Sequence, residues 1–242
     1  MDTADLLAAA CPPINTMGSA FYFAPATLQR GDALGLDGFR FYFLGRGGVL
    51  GDVEPRVIVS AFGYFKPSLV EHIWDTARQI APPREAGRAY RDACAEFGRE
   101  ALSDLPGLEP LGRSLDAVNA AADPIGLALY AGVSAEPLAD DPPARVMQLV
   151  TTLRELRGSA HLVAIRACGL EAPVAHYLKR PNDFTLFGWG EDEIPEVTEA
   201  DRQALADAER LTDDLLRPAF GVLDPDGANA LVDGLAAMHD AL

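Results

Sequence analysis

The stretch GFRFYFLGRGGVLGDVEPRVIVSAFGYF, residues 38–65, decides the fold of this chain. It begins and ends in aromatic and apolar runs, which enclose a glycine-rich segment, Gly45–Gly48, and two carboxylates, Asp52 and Glu54. From Pro55 onward, apolar residues recur at i, i+1, i+4, i+5 and i+8, which is the stripe of a buried helix that opens with proline. The stretch therefore predicts a helical domain.

The same helical period recurs on both sides of this stretch. Residues 39–43 alternate as a strand would, but the neighbouring segments carry helical periods, which favours a helix there too. A first helix at 4–10 is predicted to stop at Pro12-Pro13. The chain is thus predicted to be mainly α, a multi-helix globular domain. A Pro/Gly-containing linker divides it into helical subdomains 1–105 and 106–242, or the two parts form one continuous domain.

Composition narrows the function classes. The 242 residues carry a formal net charge of −16 and a sequence pI near 4.5, the wrong sign for a protein that neutralises phosphates, so no nucleic-acid partner is expected. Three cysteines without CxxC spacing favour reduced thiols. Without a basic N-terminal region or a long apolar run, we expect a cytoplasmic protein with no membrane partner.

Most known catalytic motifs do not fit the sequence. The four histidines are scattered, so no metal site is predicted, and no cofactor is expected because P-loop and dinucleotide fingerprints are lacking. GxSxG is absent as well. The glycines at 45–48 are interpreted as a turn that needs unusual backbone angles.

Asp52 and Glu54 are the candidate catalytic residues. Two carboxylates ahead of a proline-initiated helix and near aromatic residues could be desolvated, which would raise at least one pKa toward that of a general base. The alternative is that they stabilise the helix dipole, since acidic residues favour a first turn.

A second candidate group follows a helical spacing. Arg154, Arg157 and His161 lie at i, i+3 and i+7 and share one face if the helix continues through Gly158, where they could clamp an anion such as sulfate or carboxylate. The alternative is that the arginines form a solvated face paired with Glu155 or acidic loops, and that His161 is a core residue.

Three segments together resemble a known family. The segments are GLDGFRFYFLGRGGVLGDVEPRVIVSAFGYFKP (35–67), LRELRGSAHLVAIRACGLEAPVAHYL (153–178) and TEADRQALADAERLTDDLL (198–216). Their motifs GRxxxLG, (F/Y)xxFxP and LRExRGxxH are similar to those of an actinobacterial family of atypical helix-turn-helix proteins of unknown function. The resemblance implies a degenerate winged-helix-like C-terminal part. The acidic residues at 180–196 and Lys66, where family members tend to carry His, weaken a DNA-binding function.

The D-x-E spacing of Asp52 and Glu54 also resembles the aziridine-forming proteins of azinomycin and vazabitide antibiotic biosynthesis. That resemblance implies a lyase-type reaction in which a substrate amine displaces a neighbouring sulfate. Asp52 and Glu54 would then activate the amine, while Arg46, Arg154, Arg157 and His161 would bind the departing sulfate. The pocket wall would consist of Phe41, Tyr42, Phe62 and Tyr64.

The resemblance also implies partners. The substrate is a small molecule, free or bound to a carrier protein, and the subunit pairs with a homologous partner as a heterodimer or with itself. The competing hypothesis is a non-catalytic ligand-binding or transcriptional-regulator-like protein. A non-catalytic scaffolding subunit is a third.

Overall fold

The computed structural model describes all 242 residues and contains twelve α-helices and no β-strand. The predicted mainly α, multi-helix fold is confirmed. The helices are α1 (Thr3–Met17), α2 (Pro25–Ala33), α3 (Gly38–Gly47), α4 (Pro55–Phe62), α5 (Pro67–Ala77), α6 (Pro83–Leu102), α7 (Leu108–Ala121), α8 (Ala128–Ser134), α9 (Pro142–Ala167), α10 (Ala172–Lys179), α11 (Glu199–Phe220) and α12 (Pro225–Ala241). Short 3-10 turns lie at Gly48–Leu50, Pro181–Asp183 and Glu191–Glu193. None of the helices meets the length and hydropathy requirements of a transmembrane segment.

The longest helix, α9, lies at the centre of the fold. It packs against α1, α6, α7, α8 and α11, and most of its residues are buried. The main apolar core contains residues from Leu6 to Met238, so the segments before and after residue 105 both contribute to it. The division into two subdomains at residue 105 stays a prediction. Because α9 continues through Gly158, it brings Arg154, Arg157 and His161 to one cavity.

Polar caps define several helix ends. The Thr198 hydroxyl accepts from the Asp201 amide at 3.2 Å, while the Asp201 carboxylate accepts from the Thr198 amide at 2.8 Å. This reciprocal pair is a capping box and starts α11. Gly169 adopts a left-handed φ of 73° just after α9, a conformation typical of a glycine that ends a helix.

The predicted stop at Pro12-Pro13 is wrong, because α1 continues through both prolines to Met17. Two prolines remove two helical hydrogen bonds, but the carbonyls left without donors belong to Ala8 and Ala9, which are exposed to water. The opposite face of α1 is buried, and its packing outweighs the local cost.

The predicted turn at Gly45–Gly48 is also wrong. These residues complete α3 and begin the 3-10 turn that follows, and none of them has a positive φ. Their glycines permit close helix packing instead. A Cβ on Gly45 would lie 2.7 Å from the Tyr90 ring, and a Cβ on Gly48 would lie 2.0 Å from the Pro83 carbonyl oxygen, so α6 approaches here more closely than a side chain would permit.

Candidate functional site

A cavity of about 160 Å³ opens between α9, α10 and the segment that joins α4 to α5. Its polar lining comprises Asn15, Tyr42, Arg46, Tyr64, Arg154, Glu155, Arg157, Ser159, His161, His176, Lys179 and Arg180. Five of these side chains are arginine or lysine and one is a carboxylate. The cavity is therefore locally cationic in a protein whose net charge is −16.

The carboxylate of Glu155 forms one end of the cavity, and its side chain is only 2% exposed. Arg46 donates to both of its oxygens, from Nε at 2.8 Å and from Nη2 at 2.7 Å. The Tyr22 hydroxyl donates to Oε1 at 2.8 Å, and Arg154 Nη1 lies 3.1 Å from the same oxygen. Burial alone would raise the pKa of Glu155, but the charges and hydrogen bonds of these donors lower it to about 2.

Arg46 and Arg154, which were predicted to bind an external anion, are thus engaged by an internal one. Arg46 also stacks over Phe62, with its guanidinium carbon 4.4 Å from the ring centre. Arg154 donates in addition to the Asn15 carbonyl at 3.2 Å. These contacts fix both arginines as structural neighbours of Glu155, which leaves other cations to meet a ligand.

The other cations of the lining are Arg157, Lys179 and Arg180. Arg157 donates to the Glu209 carboxylate at 2.8 Å, and Lys179 contacts the same carboxylate. Arg180 lines the cavity and forms no ion pair within the chain. Two of these cations share one carboxylate and the third has no carboxylate partner, an arrangement that favours an additional anion.

His161 lies beside this cationic group and is 3% exposed. Its Nδ1 is 2.9 Å from the Thr212 hydroxyl, whose oxygen is 2.7 Å from the Ala208 carbonyl. Burial, followed by the charge of Lys179, lowers the pKa of His161 to about 4, with Glu209 acting in the opposite direction. The imidazole is therefore neutral near pH 7.

Three buried polar atoms of the lining have no hydrogen-bond partner in the protein: the Tyr64 hydroxyl, His161 Nε2 and His176 Nε2. An unsatisfied buried polar group costs about 1–3 kcal/mol, so such groups normally meet a ligand or water. Their convergence on one cavity indicates a binding site for a polar small molecule.

Asp52 and Glu54 lie elsewhere. Asp52 is 69% exposed at its side chain and contacts Arg78 at 3.3 Å. Glu54 is an exposed residue just before α4 and makes no side-chain cap hydrogen bond. Neither residue lines the cavity, because the loop that carries them faces solvent. Their role as the base stays a prediction, and the structure does not bring them together with Arg157 or His161.

Three of the four residues predicted to form the pocket wall, Tyr42, Phe62 and Tyr64, line the cavity. Phe41 does not, because it points to the core, where its ring meets that of Tyr90 edge-on at 5.2 Å. Phe65 and Phe187 take its place. Their rings stack at 4.0 Å and bring the irregular segment 180–196 against the rest of the cavity.

The sequence profile of a helix-turn-helix family matches residues 8–187. The chain belongs to this helix-turn-helix family. The matched region runs from α1 to α10 and includes Arg46, the face of α9 and Arg180, whereas Glu209 and Thr212 of α11 lie beyond it. Searches of curated proteins and of solved structures find no match.

Sequence reasoning missed several residues of the site. No sequence pattern marks the residues at the end of α10 as part of a site, since only the tertiary fold brings α10 to the α9 face. These residues are His176, Lys179 and Arg180. The sequence alone indicates Glu155 only as a partner for solvated arginines. A carboxylate within the apolar pattern of α9 was the available signal, because such a residue must be paired once it is buried.

Proposed function

We propose that this protein is an enzyme, or the subunit of one, that closes an aziridine ring when a substrate amine displaces a sulfate from the neighbouring carbon. One observation carries the proposal: a single cavity holds Arg157, Lys179 and Arg180 next to His161, a neutral hydrogen-bond acceptor. Such a site fits a small molecule with an anionic group at one end and an amine near it.

The cationic end suits the leaving group. A sulfate ester gains negative charge as its C–O bond breaks, so cations fixed around that oxygen stabilise the transition state more than the substrate. Arg180 is available for this because it has no carboxylate partner. Arg157 and Lys179 share Glu209, which holds their positive charges in place.

The remaining lining suits ring closure. The nitrogen must attack from the side opposite the leaving oxygen, and fixing two groups in such a geometry can supply about 7–11 kcal/mol. Tyr42, Phe62, Phe65 and Phe187 give the cavity rigid walls. The same rings exclude water that would hydrolyse a strained product.

The wider setting belongs to the same proposal. The resemblance to aziridine-forming proteins supports an actinobacterial antibiotic pathway, a homologous partner subunit, and a substrate that is free or bound to a carrier protein. The competing function is a ligand-binding or regulatory protein, which the family description would fit. The net charge of −16 disfavours DNA binding, and binding of an amino sulfate without turnover would identify a non-catalytic ligand-binding protein.

The test is sulfate release from a panel of vicinal amino sulfates, from 2-aminoethyl sulfate upward, with the ring product identified by mass spectrometry. The protein is assayed alone and with the product of a neighbouring related gene. We expect Arg180→Ala to lower kcat/KM at least tenfold, because charge-assisted hydrogen bonds are worth about 1.5–3 kcal/mol. Arg88→Ala is the matched control, since Arg88 is exposed, unpaired and outside the cavity.

Two further variants test the candidate carboxylates. Because Asp52 and Glu54 are exposed, Asp52→Asn and Glu54→Gln are expected to match the wild type. A large loss of sulfate release in either variant would identify Asp52 or Glu54 as the base. It would also indicate that a partner subunit covers the exposed loop that carries them. No sulfate release from any substrate, with or without the partner, would overturn the proposed function.

A further inference from the structure

The buried histidine of the cavity has a defined tautomer. A hydroxyl has one hydrogen, and that of Thr212 is donated to the Ala208 carbonyl at 2.7 Å. The Thr212 oxygen must then accept from His161, so the hydrogen of the neutral imidazole sits on Nδ1, 2.9 Å away. Nε2 is left with a bare lone pair, buried and without a protein partner.

We propose that His161 Nε2 is the base that takes the proton from the substrate's ammonium group. The assignment rests on the proposed ring closure, which needs a neutral amine. His161 lines the cavity, and its lone pair lies on the same side as the cations that would hold the sulfate. The amine and the leaving group of a vicinal amino sulfate are only two carbons apart, which matches that proximity.

The surroundings make the base stronger once substrate is bound. Glu209 Oε1 lies 3.8 Å from Nε2, and Arg157 and Lys179 both contact that carboxylate, while the Tyr64 ring is 6.4 Å from the imidazole ring. In the free protein the two cations and burial disfavour a charged imidazole. A bound sulfate offsets those cations and leaves Glu209 to pair with the imidazolium, which raises the pKa of His161 above its value of about 4.

The proposed step balances. The ammonium group gives one proton to Nε2 and becomes an amine, whose lone pair forms the new C–N bond. The C–O bond breaks as that bond forms, and sulfate departs with the bonding electrons. The products are a protonated aziridine, a sulfate dianion and an imidazolium, and the imidazolium then returns its proton to solvent.

Other groups are less suited to this role. All four donors around Glu155 bind its lone pairs, so it serves to hold Arg46 and Arg154. His176 also has an unpartnered Nε2, but its ring packs on Phe187 at 4.1 Å and, unlike His161, it has no carboxylate within ion-pair distance.

The test is the pH dependence of sulfate release. In the wild type we expect an acid limb in both kcat/KM and kcat, with the kcat limb at higher pH because substrate raises the pKa of His161. His161→Gln should lower kcat by about 10²–10⁴-fold and remove the limb. His161→Ala should regain activity with added imidazole, which a merely structural histidine would not do. The exposed His72→Gln is the matched control.

The outcomes separate this assignment from the proposed function. If the wild type releases no sulfate, both the proposed ring closure and the assignment of His161 as its base are wrong. Turnover with an unchanged rate and acid limb in His161→Gln, or no imidazole rescue of a folded His161→Ala, overturns the assignment alone. If neither variant folds, Thr212→Val decides, because it keeps the imidazole and frees its tautomer: the limb must shift, and an unshifted limb overturns the proposal.

Discussion

Glu155 keeps a full negative charge inside the protein because four hydrogen bonds from three side chains share it. The cost of desolvation is met by Arg46 and Arg154, which are themselves nearly buried. Removal of one member of this buried ion cluster should destabilise the fold, since the remaining charges are then buried without a partner.

We therefore predict that Glu155→Gln lowers the free energy of unfolding by about 3–5 kcal/mol, as measured by urea denaturation. The matched control is Asp116→Asn, which breaks the half-exposed pair with Arg145 and should cost no more than about 1 kcal/mol. Equal losses in the two variants would show that the Glu155 network is not a desolvated ion cluster.

His161 gives a second prediction at this scale, the dependence of stability on pH. Its pKa is lowered from 6.5 to about 4 in the folded protein, so the unfolded chain binds the extra proton first. The contribution of the neutral imidazole to the free energy of unfolding is therefore fully present above pH 6.5 and is lost as the pH falls toward 4. The slope of this loss is up to about 1.4 kcal/mol per pH unit. Denaturation midpoints of wild type and His161→Gln across this range should converge as the pH falls. Parallel curves would contradict the assignment of a neutral buried imidazole.

At the scale of elements, the contact between α6 and the 3-10 turn that follows α3 depends on the absence of side chains. A Cβ on Gly48 would lie 2.0 Å from the Pro83 carbonyl oxygen, whereas a Cβ on Gly158 of α9 would meet no atom within 4 Å. Both positions are glycines, yet an alanine substitution should change the stability of the protein in opposite directions at the two.

We predict that Gly48→Ala destabilises the protein by about 1–3 kcal/mol, because backbone must move to accept the methyl group. Gly158→Ala should stabilise it by about 0.5–1 kcal/mol, since glycine is unfavourable inside a helix. Thermal unfolding of both variants measures the difference. A Gly48→Ala protein as stable as the wild type would show that the 3-10 turn after α3 is not in close contact with α6.

Local patterns were sufficient to predict several helices, while tertiary contacts decided other features of the fold. The start of α11 depends on Thr198 and Asp201, three residues apart, and the shared face of α9 depends on helical spacing. The path of α1 through Pro12 depends instead on what its buried face meets. The pairing of Arg46 with Glu155 joins residues 109 positions apart, which no local period reveals. The exposure of Asp52 is likewise a tertiary property.

At the scale of the whole molecule, a strongly acidic protein concentrates cations in one place. The net charge is −16, yet five of the twelve polar side chains that line the cavity are arginine or lysine. Two of the five pair with Glu155 and two share Glu209, which leaves Arg180 as the cation without a carboxylate partner. The molecule is thus suited to select a small anion rather than a polyanion.

Calorimetric titration with inorganic sulfate is the measurement that tests anion binding by the cavity, since it needs no knowledge of the substrate. We predict one binding site in the wild type and in Arg88→Ala, and an affinity at least tenfold weaker in Arg180→Ala, because a charge-assisted contact is worth about 1.5–3 kcal/mol. Binding that is absent in the wild type, or equal in all three proteins, would contradict the claim that this cavity binds an anion.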